Sequence, residues 1–237
     1  MLSRTQFLIF ELGTECNLGH VHKRCPNQHP ERYSRLDTSR ELHNSMIIEC
    51  AVSAYLDHGF TGLIGWHYYN EPTLQAARMS FLMRSIKDRV DTARFVLWSN
   101  GANVSDYIAD KFHQVHITDY IHDPQGSRLD DRLIRKIAEP NDNRPCMRPF
   151  TEFIIDNYGN HHPCCYDWRG EGSLGNVFTA NFAILVERWS GLQDAVAGRE
   201  MMDDAPTACK ACGRRTQAIT RFDHASAQRA EEWRAGL

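Results

Sequence analysis

The first half of the chain alternates short buried runs with segments of helical periodicity, and this alternation limits the fold more than any other feature. The apolar runs predict strands at residues 7–12, 62–68, 94–98 and 115–118. The periodic segments between them predict helices at residues 39–58, 73–89 and 104–112. Strands and helices in this order are typical of right-handed crossovers that build a parallel sheet. We therefore expect an α/β fold.

Polar residues follow the predicted strands and precede the next helices. Parallel strands bring their carboxyl ends to one edge, where α/β folds build their sites. We expect two cysteines of the first loop to meet these polar residues at that edge. The residues concerned are Cys16, Cys25, Tyr69-Asn70-Glu71, Ser99-Asn100-Gly101 and Asp119-Tyr120.

The character of the chain changes after about residue 126. Proline and asparagine between residues 140 and 145 predict a linker, and Asn157-Tyr-Gly-Asn160 predicts the turn of a hairpin formed by residues 150–156 and 161–166. Helices are expected at residues 180–197 and 226–235. We divide the chain into a first domain at residues 1–140, a second at residues 141–215 and a helical tail at residues 216–237.

Composition restricts the class of partner. The formal net charge of -3 mixes acids and bases, which does not indicate a nucleic-acid partner. The apolar run at the start is shorter than a signal peptide needs, and no run reaches the length of a membrane span. We expect a soluble, cytoplasmic protein with no membrane partner. In such a reducing compartment the eight cysteines more often hold metal than form disulfides.

Four late cysteines have the pattern of a metal or iron-sulfur site: Cys146, Cys164, Cys209 and Cys212. Thiolate is the preferred ligand of both zinc and iron-sulfur clusters, so the ligand set alone leaves both open. The adjacent Cys164 and Cys165 can hardly both bind one metal in good geometry, and if a strand carries both they point to opposite faces. We take Cys164 as the ligand. Cys50 lies on the apolar face of the first predicted helix and is expected in the core.

Four segments together resemble a known family. Residues 14–27 read Thr-Glu-Cys-Asn-Leu-Gly-His-Val-His-Lys-Arg-Cys-Pro-Asn, and the other segments are residues 66–72, 97–101 and 163–176. Their order and spacing resemble the cluster loop, the Gly-Glu-Pro motif, the Thr-Asn-Gly strand end and the twitch hairpin of radical S-adenosylmethionine (SAM) enzymes. The similarity is to members with a C-terminal twitch domain, a shortened SPASM arrangement. Within these it is greatest to the 2-deoxy-scyllo-inosamine dehydrogenases of aminoglycoside biosynthesis.

The resemblance implies a partial (β/α)6 barrel followed by a small α+β twitch/SPASM domain. It also implies two 4Fe-4S clusters, one that binds SAM and one auxiliary cluster on the four late cysteines. The first cluster would use Cys16 and Cys25, but the family's middle cysteine is missing. Counting from Cys16 its replacement is His20, and counting back from Cys25 it is His22. Imidazole binds iron well, yet a neutral ligand raises the reduction potential of the cluster.

Further roles follow from the resemblance. Glu71 would accept hydrogen bonds from the SAM ammonium, and Asn70 stands where the family has glycine. Ser99 and Asn100 would reach the ribose hydroxyls. Two arginines near the last predicted barrel strand would hold the SAM carboxylate or the substrate as catalytic-site cations: Arg132 and Arg135. His161 and His162 flank the auxiliary site and are placed to tune it by hydrogen bonding.

The implied activity is that of a radical SAM oxidoreductase acting on a small molecule. A 5'-deoxyadenosyl radical would take hydrogen from a sugar or aminocyclitol alcohol, and the auxiliary cluster would accept an electron as a ketone forms. The first strand begins near residue 6, so we expect no leader-binding domain before it, which favours a small substrate. A flavodoxin or ferredoxin is the expected reducing partner.

Three alternatives remain open. One is an epimerase or carbon-carbon bond-forming enzyme of the same family. A second is a degenerate member that keeps the auxiliary cluster alone and serves as an electron carrier or partner protein, as the missing cysteine suggests. A third is a zinc protein in which the late cysteines have a structural role.

Overall fold

The computed structural model describes residues 1–17, 39–117, 148–165, 167 and 172–197. Within them a seven-stranded sheet forms the centre of the fold. Its strands, in chain order, are β1 (Phe7–Phe10), β2 (Leu63–Gly65), β3 (Arg94–Ser99), β4 (Gln114–Ile117), β5 (Glu152–Ile155), β6 (Asn160–His162) and β7 (Gly175–Asn176). The helices are α1 (Arg40–Leu56), α2 (Ala76–Lys87), α3 (Asp106–Ala109), α4 (Arg148–Thr151) and α5 (Phe182–Ala197), and a 3₁₀ turn spans Pro72–Gln75.

The sheet combines a parallel part with an antiparallel hairpin. Its order is β4-β3-β2-β1-β5-β6-β7, in which β4 through β5 run parallel. Strand β6 turns back against β5, and β7 pairs with β6. The predicted α/β class and the predicted hairpin are both confirmed. Because β5 pairs with β1, the ends of five parallel strands share one edge.

Alternation along the strands separates two faces of the sheet. Leu8, Phe10, Ile64 and Trp66 pack into a core with residues of α1, α2 and α5. Cys50 is 5% exposed in this core, as predicted, and burial raises the pKa of its thiol to about 12. A thiol held protonated among apolar groups is a poor metal ligand.

Several predicted elements are shorter in the structure. Strand β2 ends at Gly65, and in the loop behind it the Trp66 carbonyl and the Tyr68 amide both bond to the Asn70 side chain. The helix predicted over residues 73–89 begins with a 3₁₀ turn whose N-cap is Glu71. The helix predicted over residues 104–112 is reduced to α3, since the residues before it form a turn on Gly101, whose φ is 85°.

The prediction of the first helix agrees closely with the structure, and two other predicted segments lie outside the described residues. Helix α1 is capped by the Ser39 hydroxyl, and Gly59 reverses the chain after it with a φ of 69°. The linker at 140–145 and the terminal helix at 226–235 lie outside the described residues. None of the helices in the described part of the chain has the length and apolar content that a membrane crossing requires.

Candidate functional site

The segment around Cys16 is bonded to the ends of two neighbouring strands. Behind β2, the Glu71 amide donates to the carbonyl of Glu15 at 2.8 Å. Behind β3, Asn100 Nδ2 donates to Asn17 Oδ1 at 2.7 Å. Both neighbours of Cys16 are therefore held, and its side chain remains partly exposed. This confirms the predicted meeting of Cys16 with these strand ends.

The carboxylate of Glu71 is the centre of this arrangement and is 3% exposed. Its Oε1 accepts from Thr73 Oγ1 at 2.6 Å, from the Thr73 amide at 3.1 Å and from Ser99 Oγ at 2.8 Å. Its Oε2 accepts from the Asn100 amide at 2.8 Å. The carboxylate thus joins the 3₁₀ turn to the end of β3. Among the described residues Oε2 accepts one hydrogen bond, and a carboxylate oxygen can accept two.

The other predicted cofactor contacts lie around the same carboxylate. Ser99 and Asn100 are 7% and 8% exposed. The Asn100 side-chain oxygen accepts from the Ala102 amide at 3.0 Å, so its amide group is oriented at both ends. Asn70 closes the preceding loop, since its Nδ2 donates to the Trp66 carbonyl at 3.2 Å. Its side chain therefore has a local structural partner at the position where the family has glycine.

Most predicted metal ligands fall outside the described residues: His20, His22, Cys25, Cys146, Cys209 and Cys212. Arg132 and Arg135 do so as well, and their roles stay predictions. Cys16 and Cys164 are the predicted ligands that the structure does describe. In the described ranges no group of three or more potential ligand side chains is arranged to hold a metal.

Cys164 lies in a turn after β6, which we call the cysteine turn (residues 164, 165 and 167). The Asp167 amide donates to the Cys164 carbonyl at 3.1 Å and closes it. Strand β6 ends at His162, so neither Cys164 nor Cys165 belongs to a strand and the alternation argument does not apply to them. Two tyrosines from the loop after β2 reach this turn: Tyr69 Oη donates to the Cys165 carbonyl at 2.7 Å, and Tyr68 Oη to the Asp167 carbonyl at 3.1 Å.

Sequence reasoning missed a buried carboxyl group between the two cysteine-bearing segments. Glu11 directly follows β1 and is 0% exposed. Its Oε1 accepts from the Tyr69 amide at 3.0 Å, and its Oε2 from the Asn157 amide at 3.1 Å. Burial and the nearby charge of Asp156 raise the pKa of Glu11 to about 8. Its signal in the sequence was an acidic residue inside an apolar run.

His162 forms the second part of this buried polar cluster. Its Nε2 lies 2.8 Å from Asp156 Oδ2, and its Nδ1 lies 3.2 Å from Asp167 Oδ2. Burial alone lowers the pKa of His162, but the hydrogen bonds and charges of the two carboxylates outweigh it and raise that pKa to about 9. A doubly bonded imidazolium therefore joins the hairpin to the cysteine turn at neutral pH.

His161 points to the opposite face, as alternation along β6 requires. Its ring stacks on Phe153 at a centroid distance of 3.8 Å and lies 5.3 Å from Trp189. Both ring nitrogens are buried, and neither has a hydrogen-bond partner among the residues that the structure describes. Burial holds the pKa of His161 well below its usual value, so the ring is neutral. Of the two histidines, His162 alone is bonded to the cysteine turn.

The thiols of Cys16 and Cys164 fit iron-sulfur ligation better than a role in packing. Cys16 and Cys164 are partly exposed, whereas Cys50 is enclosed in the core. Exposed thiols on loops ionise more readily than buried ones, and thiolate is the form that binds iron. Both segments are also fixed by hydrogen bonds to strand ends. The described part of each predicted cluster site therefore fits its cofactor.

Comparisons with known proteins agree with this geometry. Residues 146–213 match the family described as SPASM, an iron-sulfur cluster-binding domain. No curated protein matches the chain. One similar solved structure is that of BtrN in complex with AdoMet and 2-DOIA, with a TM-score of 0.58 and 18% identity over 81% of this chain and 87% of that one. Another is BtrN in an open conformation, with a TM-score of 0.57 and 16% identity over 81% and 85% of the two chains.

The likeness to BtrN shows that the two proteins share a fold. The SPASM match covers Cys146, Cys164, Cys209 and Cys212, the four cysteines singled out from the sequence. The domain match and the shared fold together confirm the resemblance drawn from the sequence, to radical SAM proteins that carry a SPASM-type iron-sulfur cluster-binding domain.

Proposed function

We propose that this protein is a radical SAM oxidoreductase that oxidises an alcohol carbon of a sugar or aminocyclitol, with a second cluster as electron acceptor. The observation that carries the proposal is the pair of hydrogen bonds on either side of Cys16, from Glu71 and Asn100. These bonds support the proposal because they join the neighbours of a predicted cluster ligand to two of the residues predicted to contact SAM. BtrN, which has the same fold, was crystallised with AdoMet and 2-DOIA, and this supports the choice of cofactor and substrate class.

When bound, a reduced cluster and SAM would supply a 5'-deoxyadenosyl radical able to take one hydrogen atom from the substrate carbon, while the second electron would pass to the auxiliary cluster and the hydroxyl proton to a base. The residues of this chain would bind and orient the reactants. Glu71 has an acceptor position left on Oε2 for the SAM ammonium, in a buried site where such a charge-assisted bond is strong. Ser99 and Asn100 hold that carboxylate in place.

The cofactors of the proposal are two 4Fe-4S clusters and SAM, and the partners are a small-molecule substrate and a flavodoxin or ferredoxin as reductant. The SPASM match supports the auxiliary cluster. The first cluster would be held by Cys16 and Cys25 with His20 or His22. Whether this set yields a potential low enough for SAM cleavage is the point on which the activity depends.

Anaerobic reconstitution with iron and sulfide tests the proposal. We expect about eight irons per chain, as two 4Fe-4S clusters require, and 5'-deoxyadenosine after addition of SAM and a low-potential reductant. Cys16→Ala is expected to remove about four irons and all SAM cleavage, and Cys164→Ala to remove the other cluster. Cys50→Ala is the matched control, since Cys50 lies in the core, and it is expected to keep both clusters.

Two results would contradict the proposal and favour a specific alternative. About four irons with no SAM cleavage indicates an electron carrier that keeps the auxiliary cluster alone, the alternative that the missing middle cysteine favours. Zinc without sulfide indicates a structural metal site. If SAM is cleaved but the candidate alcohols give no ketone, the chain is a radical SAM enzyme of another reaction type, such as an epimerase.

A further inference from the structure

One short segment of the chain contacts both cysteine-bearing regions. Tyr68 and Tyr69 donate their hydroxyls to carbonyls of the cysteine turn at 3.1 Å and 2.7 Å. Two residues further along, Glu71 contacts the Glu15 carbonyl beside Cys16. Residues 68–71 therefore span the distance between the two predicted cluster sites without a break in the chain.

The tyrosine pair is anchored on the side of the sheet. The Tyr69 amide is bound by the buried Glu11 carboxyl group at 3.0 Å, and the Tyr68 amide by Asn70 Oδ1 at 3.1 Å. The two rings also lie against each other, with centroids 4.1 Å apart. Backbone and rings are thus both constrained, and the hydroxyls are presented at fixed positions.

The cysteine turn is anchored on its own side. Asp167 Oδ2 accepts from the Gly172 amide at 3.0 Å and binds His162. The Tyr68 ring lies 5.1 Å from the His162 ring, between the two segments. Burial and the nearby Tyr69, Asp167 and cysteine side chains raise the pKa of Tyr68 well above its usual value, so its hydroxyl stays a donor.

From these contacts we infer that Tyr68 and Tyr69 are positioning residues that fix the cysteine turn, and with it the ligand Cys164, relative to the SAM-side segment at Glu71. This inference rests on the proposed function, because it assigns to Tyr68 and Tyr69 the role of keeping the auxiliary cluster at a set distance and orientation from the SAM-binding cluster. The hydroxyls act on backbone carbonyls of the turn.

The test uses Tyr69→Phe, Tyr68→Phe and the double variant, with Tyr107→Phe as the matched control. Tyr107 is 73% exposed on α3, and the same hydroxyl is removed there without a contact to the turn. Loss of one neutral hydrogen bond corresponds to about a tenfold change in a local opening equilibrium. We expect the amide hydrogens of residues 164, 165, 167 and 172 to exchange about tenfold faster in Tyr69→Phe, with or without clusters, and at the wild-type rate in Tyr107→Phe.

A second readout separates positioning from simple stability. In reconstituted protein with full iron content, the variants are expected to shift the electron paramagnetic resonance spectrum and the midpoint potential of the auxiliary cluster. SAM cleavage without substrate should stay at the wild-type rate, while product formed per 5'-deoxyadenosine falls.

Unchanged exchange in the double variant, or an unchanged auxiliary spectrum at full iron content, would overturn the inference. The exchange measurement needs no cluster, so it distinguishes this failure from failure of the proposed function. A protein that cleaves no SAM but shows faster exchange in Tyr69→Phe retains the positioning role and loses the proposed chemistry.

Discussion

Replacement of Glu11 by glutamine tests the buried polar cluster at the strand ends. Glu11 is fully buried, and burial together with the charge of Asp156 raises its pKa from 4.5 to about 8. The folded protein therefore keeps a proton that the unfolded chain releases over this pH range. The contribution of Glu11 to the free energy of unfolding must fall as the pH rises from 4.5 to about 8, because this group binds fewer protons in the unfolded chain than in the folded protein.

The size of the effect follows from linkage. One proton corresponds to at most about 1.4 kcal/mol per pH unit, so the contribution changes by roughly 2 to 3 kcal/mol between about pH 5.5 and about pH 7.5. Glu11→Gln abolishes this change. The glutamine side chain has one oxygen and one NH₂ group, so one of the backbone N–H groups of Tyr69 and Asn157 faces another donor and loses its hydrogen bond. This loss costs about 1 to 3 kcal/mol at every pH. The variant is thus weaker than the wild type at low pH and becomes more stable than the wild type near about pH 8, where the linkage loss of the wild type exceeds this constant cost.

Urea unfolding of the reconstituted protein, followed by circular dichroism at several pH values, measures the difference between variant and wild type. The difference removes the titration of all other groups. Glu49→Gln is the control, since Glu49 is exposed and its hydrogen bond to Arg89 lowers its pKa, so that it is ionised in both states above about pH 5. A Glu11→Gln difference that stays constant across the pH range would refute the assignment of a raised pKa.

Two further substitutions test packing on the two faces of the sheet. His161→Phe is expected to stabilise the protein by about 1 kcal/mol at neutral pH, because it removes two buried nitrogens that have no hydrogen-bond partner in the described part of the chain. Urea unfolding measures this gain. The gain should grow below about pH 6.5, where the unfolded chain protonates His161 and the fold keeps it neutral; an equal or smaller gain in acid contradicts this. Gly65→Ala should destabilise by about 1 to 3 kcal/mol, since the new Cβ lies 2.9 Å from the Trp98 ring, and an unchanged urea midpoint would show that the ring moves aside freely.

Elements whose pattern is set by neighbouring residues were predicted well. Helix α1 has its polar cap, apolar face and glycine stop within one local stretch, and it lies within the predicted residues 39–58. The turn of the β5-β6 hairpin was also predicted correctly, because the residues Asn157-Tyr-Gly-Asn160 favour a turn by themselves. Strand β2 was predicted too long, since the residues after Gly65 bond to the side chain of Asn70 and not to a neighbouring strand.

The candidate site divides along the same line. The alternation of strands and helices placed Glu71, Ser99 and Asn100 at one edge with Cys16, because parallel strands share their carboxyl ends. Residue type alone predicted that the late cysteines are a set of metal or cluster ligands. Neither argument says which atoms of these residues contact one another.

Contacts between distant segments were decided by the tertiary structure. The sequence by itself determined the parallel sheet, the core face and the cysteine set, since these depend on local periodicity and on residue chemistry. Pairing of β5 with β1 brings Asn157 beside Glu11 over a separation of 146 residues, and the tyrosine hydroxyls reach the cysteine turn over separations of 96 and 99 residues, which no local pattern encodes. A buried carboxyl group, its raised pKa and the bonded His162 exist because the fold excludes water from groups that in the unfolded chain are apart and hydrated.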